Sequence, residues 1–191
     1  MKFIKGIFTF VGAIVVLAMI IGAVTVGPNI AKLDSQALPE YMKMFDKVLS
    51  TGDPAKGMVR KVKMVIPEGM TKEEAIENAL DIMDEVGEEY GLAMVDHKTM
   101  PRKSGLYTHI RSYCSPTIAD TFLNYSREFI AFMPCRIGII EEANGDIYIY
   151  TMSMELLLSG GYTLSDEMMA LGSEVRTGMY TMMEKAAAGD E

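Results

Sequence analysis

The chain has 191 residues, with 18 Lys and Arg against 26 Asp and Glu for a net charge of −8, and it contains 18 methionines, 2 cysteines and no tryptophan. That length suits one compact domain with an extension. The acidity excludes nucleic acid as a partner, because such binding rests on basic patches that neutralise phosphates.

Residues 6–26 carry no charged side chain. At about 1.5 Å per residue they can cross roughly 30 Å of hydrocarbon, so they read as a transmembrane helix. A signal peptide has a shorter apolar core, about 7–15 residues, and Thr25-Val26-Gly27 followed by Pro28 is a poor cleavage site. Lys2 and Lys5 precede the span, and the next charges are Lys32 and Asp34. The positive-inside bias then places residues 1–5 in the cytoplasm and everything from 27 onward in the periplasm or cell exterior, on a single-pass protein of the cytoplasmic membrane. Gly12, Ala18 and Gly22 make one face of the span narrow enough for a second helix. The partners expected are the lipid bilayer and, through span and stalk, a membrane protein or a second copy. Residues 27–57 form that stalk: Leu38, Tyr41, Met42, Phe45, Val48 and Leu49 repeat at helical spacing, Pro39 suits a first turn, and Gly52-Asp53-Pro54 ends the helix.

Residues 58–188 form the exterior domain, followed by a polar tail at 189–191. Val62, Met64 and Ile66 alternate with Lys61, Lys63 and Val65 in a strand that stops at Pro67. Thr71 opens a helix with Glu74 as its capping-box partner, and Ile76, Ala79, Leu80, Met83, Val86 and Tyr90 form its apolar stripe. Its other face, with Asp84 among the acids, reads as a solvated surface. Strands follow at about 92–96 and 106–114, then a short helix from Pro116. Two more strands, 135–142 and 146–154, are joined by Ala143-Asn144-Gly145, where Asn-Gly is expected to supply the positive φ angles of a tight hairpin. A last helix at about 165–187 buries Met168, Leu171, Val175, Met179 and Met182. The expected fold is α+β, a two-layer sandwich of a mixed or antiparallel sheet covered by helices, preceded by the transmembrane and stalk helices.

Tyr113-Cys114-Ser115-Pro116, Met133-Pro134-Cys135-Arg136-Ile137-Gly138, Asn144-Gly145-Asp146 and the upstream Val95-Asp96-His97 together resemble the family catalogued as domain of unknown function 302, in its cysteine-bearing variety. The resemblance covers about residues 58–158 and leaves out the span, the stalk and the Met-rich last helix. It implies an α+β fold of bacterial or archaeal origin and no activity.

By strand parity Cys114 shares a face with Ile110 and Ser112, and Cys135 with Ile137 and Ile139, so both thiols are expected to point into apolar surroundings. In an exterior compartment the two are candidates for a disulfide; two separate buried cysteines are the alternative. Cys114, Cys135, His97, His109, Met152 and Met154 also form a candidate ligand set for copper or haem, although no paired zinc spacing or haem-attachment motif is present. His109 lies an odd number of residues from Cys114 and is expected beside Tyr107, Arg111 and Tyr113 instead. Cysteines that read as buried do not suit covalent catalysis, and the chain has no phosphate loop or nucleophile elbow. The expected role is a non-catalytic accessory or interaction subunit of a membrane assembly with no cofactor. A periplasmic haem- or soft-metal-binding protein is the alternative, followed by a thiol-redox protein.

Overall fold

The computed structural model describes residues 2–189, with side chains from residue 9 onward. The expected cytoplasmic tail at 1–5, the first residues of the span at 6–8 and the end of the polar tail therefore lie outside the described residues or side chains. Helix α1 is Lys2–Thr25, and a short helix, α2, covers Gly27–Ile30. Among the described residues no helix is long and apolar enough to cross a membrane, so the expected transmembrane helix rests on the sequence alone.

Helix α3, Ala37–Thr51, ends as its sequence dictates, with Gly52 in the left-handed conformation at φ 67°. It folds back on the domain through helix α4, Pro54–Met58, whose N-cap Asp53 accepts a hydrogen bond from the Ala55 N–H. Val48 and Met44 of α3 pack so closely on Gly57 that a Cβ there would lie 2.7 Å from Val48 Cγ2. The backbone also bridges Leu33 to Tyr162, and Asp34 N–H donates to Gly161 O at 2.9 Å. The segment is thus laid against the domain.

The domain is built on strands β1 (Val59–Lys63), β2 (Ala93–Thr99), β3 (Thr108–Cys114), β4 (Cys135–Glu141) and β5 (Ile147–Met152), in the order β1-β5-β4-β3-β2. Every neighbouring pair is antiparallel, which settles the sheet type. Helix α5, Lys72–Glu89, carries the full capping box between Thr71 and Glu74. Helix α6 is Pro116–Tyr125, a 3₁₀ turn spans Arg127–Phe132, helix α7 is Glu155–Ser159, and helix α8 is Asp166–Ala188. The α7 and 3₁₀ turns are too short to leave a periodic signal, and sequence reading missed them.

Alternation sends Met64, Ile137, Ile139, Ile147, Ile149 and Tyr113 to one sheet face, where they meet Ile76, Met83 and Val86 of α5 and Met179, Met182 and Met183 of α8. The methionines of α8 fill the seam between sheet and helix, the gap-filling role to which an unbranched thioether is suited. Ile66 is exposed because β1 stops at Lys63, before the expected end. The β4–β5 turn also differs from expectation. Only Gly145 has positive φ, at 85°, with Gly145 N–H donating to Glu142 O at 2.9 Å and Glu142 N–H to Asp146 O at 2.8 Å. That is a longer turn closed by a left-handed glycine, and Asn144 instead uses its side-chain oxygen to accept from Asp146 N–H at 3.0 Å.

Candidate functional site

Cys135 opens β4 opposite Tyr113, whereas Cys114 closes β3 opposite Ala93. The register corrects the parity argument: Cys135 shares the helix-covered face with Ile137 and Ile139, but Ile110 and Ser112, which share parity with Cys114, lie on the other face. Both residues nevertheless line one cavity. Cys114 is the last residue of its strand, where the chain turns into α6, and both cysteines line a cavity of about 70 Å³ with Tyr113, Ile118, Phe122, Met133, Met154 and Leu158. The cavity owes its shape partly to Gly172 of α8, where an added Cβ would sit 2.4 Å from Leu158 Cδ2. Both cysteines are free thiols in this structure. Burial, with a smaller contribution from neighbouring Cys114, pushes the Cys135 thiol up to about 11, so it stays protonated and weakly nucleophilic near neutral pH.

The six candidate soft and imidazole ligands divide. Met154 is buried and shares the cavity with the two thiols. Met152, opposite Val59, faces an adjoining cleft with Arg136 and Thr151. His97 and His109 stack on each other at 5.9 Å toward the β2 edge, and Tyr107 stacks on His109 at 6.2 Å. Among the described residues no group of three or more His, Cys, Asp or Glu side chains is placed to hold a metal ion. Thr99 Oγ1 lies 2.9 Å from His109 Nδ1, while His109 Nε2 is buried with no partner among the described residues. Burial first, then Arg111 and His97, push the His109 pKa below its usual range, so the ring stays neutral at pH 7.

A polar cluster that sequence reading missed lies beside it. Asp84, expected on the solvated face of α5, turns inward: Tyr113 Oη donates to its Oδ1 at 2.8 Å, and Arg111 pairs with its Oδ2. Arg111 Nη1 also donates to Leu80 O at 2.7 Å, so one guanidinium ties β3 to α5. Burial and the Asp84 carboxylate push the Tyr113 hydroxyl far above its ordinary range. At the far end of the sheet, buried Glu141 accepts from Lys72 at 2.7 Å and from Tyr107 N–H at 3.0 Å, and these bonds hold its carboxyl below the usual range. Glu155 and Tyr180 form a third polar pair at 2.8 Å beneath α4, with Arg60 over the Tyr180 ring at 4.4 Å. No sequence signal marks these acids, because their partners lie tens of residues away.

The family described as Domain of unknown function DUF302 matches residues 71–186. The match includes α8, which the resemblance read from sequence left out, and excludes everything before Thr71. No curated protein matches. A solved structure described as the crystal structure of an uncharacterized conserved protein DUF302 from Bacillus stearothermophilus is similar over 67% of this chain and 97% of its own, at 13% identity and a TM-score of 0.50. At that identity the likeness shows the fold alone.

Proposed function

The chain belongs to the family described as Domain of unknown function DUF302, and from that premise we propose that it is a membrane-anchored, non-catalytic accessory or interaction domain at the outer face of the cytoplasmic membrane. The observation that carries this reading is the apolar helix α1, whose side chains from Phe10 to Val24 are exposed rather than buried on the domain. In the sequence residues 6–8 are also uncharged, so the run reaches the length a bilayer requires. A Cβ at Gly12 or Gly22 would meet nothing within 4 Å, so the small face with Ala18 is open to a second helix. A neutral, partly buried Cys135 supports the non-catalytic part of the reading. A reporter fused after Glu191 is expected to be active only when exported, and the protein is expected to stay with the membrane under alkaline extraction. A mature chain beginning near residue 26, or recovery in the soluble fraction, would overturn the anchor.

One observation favours a second reading, soft-metal binding: the two thiols and the Met154 thioether share a single cavity. Three sulfur donors suit Cu(I). A cavity of about 70 Å³ also favours an ion over haem, since pockets for larger ligands run to roughly 300–1,000 Å³. Titration with Cu(I) against a competing chelator tests this reading, with stoichiometric uptake lost in Cys135→Ser expected and no uptake overturning it.

A further inference from the structure

All five strands share one arrangement of ends. β1 begins, β2 begins, β3 ends, β4 begins and β5 ends at the same edge of the sheet, since Val59 pairs with Met152, Ala93 with Cys114, and Tyr113 with Cys135. Helices α3, α4, α6 and α7 and the 3₁₀ turn therefore gather at that end, and the chain arrives there from α1 through the Leu33–Tyr162 bridge. The opposite end carries the Asn144-Gly145 hairpin and the loops after β1 and β2. Beyond α1, the large exposed aromatic residues are Tyr41, Phe45, Tyr125, Phe132 and Tyr162, and all five lie at the α1 end. The apolar side chains exposed at the hairpin end, such as Val65, Ile66 and Met100, are aliphatic. Tyr41, Tyr125 and Tyr162 line one open groove, and on α3 the exposed Phe45 and Leu49 continue from Tyr41 along the same helix.

We propose that this end of the sheet is a bilayer-binding footprint, in which α3 and the three tyrosines lie in the headgroup layer and the domain rests on the membrane surface instead of standing off on a stalk. The inference deepens the anchor reading and rests on it. Two features select a lipid surface as the occupant. Aromatic side chains with one apolar and one polar end concentrate at membrane interfaces, and the span predicted from sequence ends at Val26, a short stretch before α3 begins at Ala37. Charge agrees: Lys32, Lys43, Lys47 and Lys56 balance Asp34, Glu40, Asp46 and Asp53, so this segment is neutral on a chain of net charge −8. The acidic remainder is repelled by anionic headgroups, and the neutral apolar face is left to approach them.

The absence of tryptophan allows a direct test with the full chain in phosphatidylcholine–phosphatidylglycerol proteoliposomes, using acyl-brominated lipid as a contact quencher. Single variants Val15→Trp, Leu49→Trp, Tyr162→Trp and Val65→Trp report the anchor, the footprint twice and the hairpin end; all four positions are exposed, so the core is spared. The expected result is strong quenching at 15, roughly twofold loss with a blue shift at 49 and 162, and none at 65. Quenching at 15 without quenching at 49 and 162 overturns the footprint while leaving the anchor intact, and is the outcome if a protein partner covers this face. Absence of quenching at 15 overturns the anchor, and with it the footprint that rests on it.

Discussion

Burial sets the chemistry of Cys135. With its pKa pushed up to about 11, its thiolate fraction at pH 8 is smaller than that of a free cysteine by about two orders of magnitude. In reduced, folded protein, Cys135 is expected to alkylate with iodoacetamide about a hundredfold more slowly than in urea, as read by mass spectrometry of the labelled peptide; equal rates would show an exposed thiol. Protein isolated from an oxidising compartment without reductant answers the disulfide proposal separately: absence of titratable thiol under denaturing conditions supports the bond, and two titratable thiols exclude it. His109 has the opposite sense of titration from a paired histidine. Its folded pKa lies below the unfolded value of 6.5, so the unfolded state binds the proton first, and stability present above 6.5 is lost as pH falls toward the folded pKa. The melting temperature should therefore decline on mild acidification below pH 6.5. His109→Phe, which keeps an aromatic ring against Tyr107, should flatten that decline; an unchanged slope would assign it to other groups.

At the scale of elements, α5 is fastened to the sheet by polar ties as well as by its apolar stripe. Asp84→Ala would leave the Tyr113 hydroxyl and the Arg111 guanidinium without their shared acceptor, at a cost of about 1–3 kcal/mol, seen as a lower urea midpoint with the slope retained. A loss within measurement error would show that water replaces the carboxylate. In α1, Gly22→Leu should leave membrane insertion intact, since the run stays apolar, while reducing cross-linking or co-purification of a neighbouring helix. Full retention of assembly would move the contact to the exterior domain.

For the whole molecule, every residue of the main core lies at or after Met64, so neither α1 nor α3 supplies part of it. A fragment from Asp53 onward should therefore be soluble and unfold cooperatively. A fragment beginning at Thr71, the start of the family match, should aggregate, because it lacks the core residue Met64 and, without β1, bares the edge of β5, whose Ile147 and Ile149 are buried. Cooperative melting of the shorter fragment would show that β1 is dispensable.

The apolar run at 6–26, the amphipathic period of α3, the Thr71–Glu74 capping box and the alternation of β4 and β5 were legible from sequence because each depends on residues a few positions apart. Strand order, the inward turn of Asp84 and the pairing of Glu141 with Lys72 depend on contacts across long separations, for which local pattern carries no information. The cysteines show the boundary most sharply. Parity could place each side chain on one of two faces, but only the register against β2 and β4 decided which face was covered, and only the end of β3 at Cys114 brought both thiols to one cavity. Sequence alone determined the apolar and polar periods, which are local properties of the chain. Tertiary structure decided which of those surfaces meet, because burial of one element's apolar face is defined only by the element packed against it.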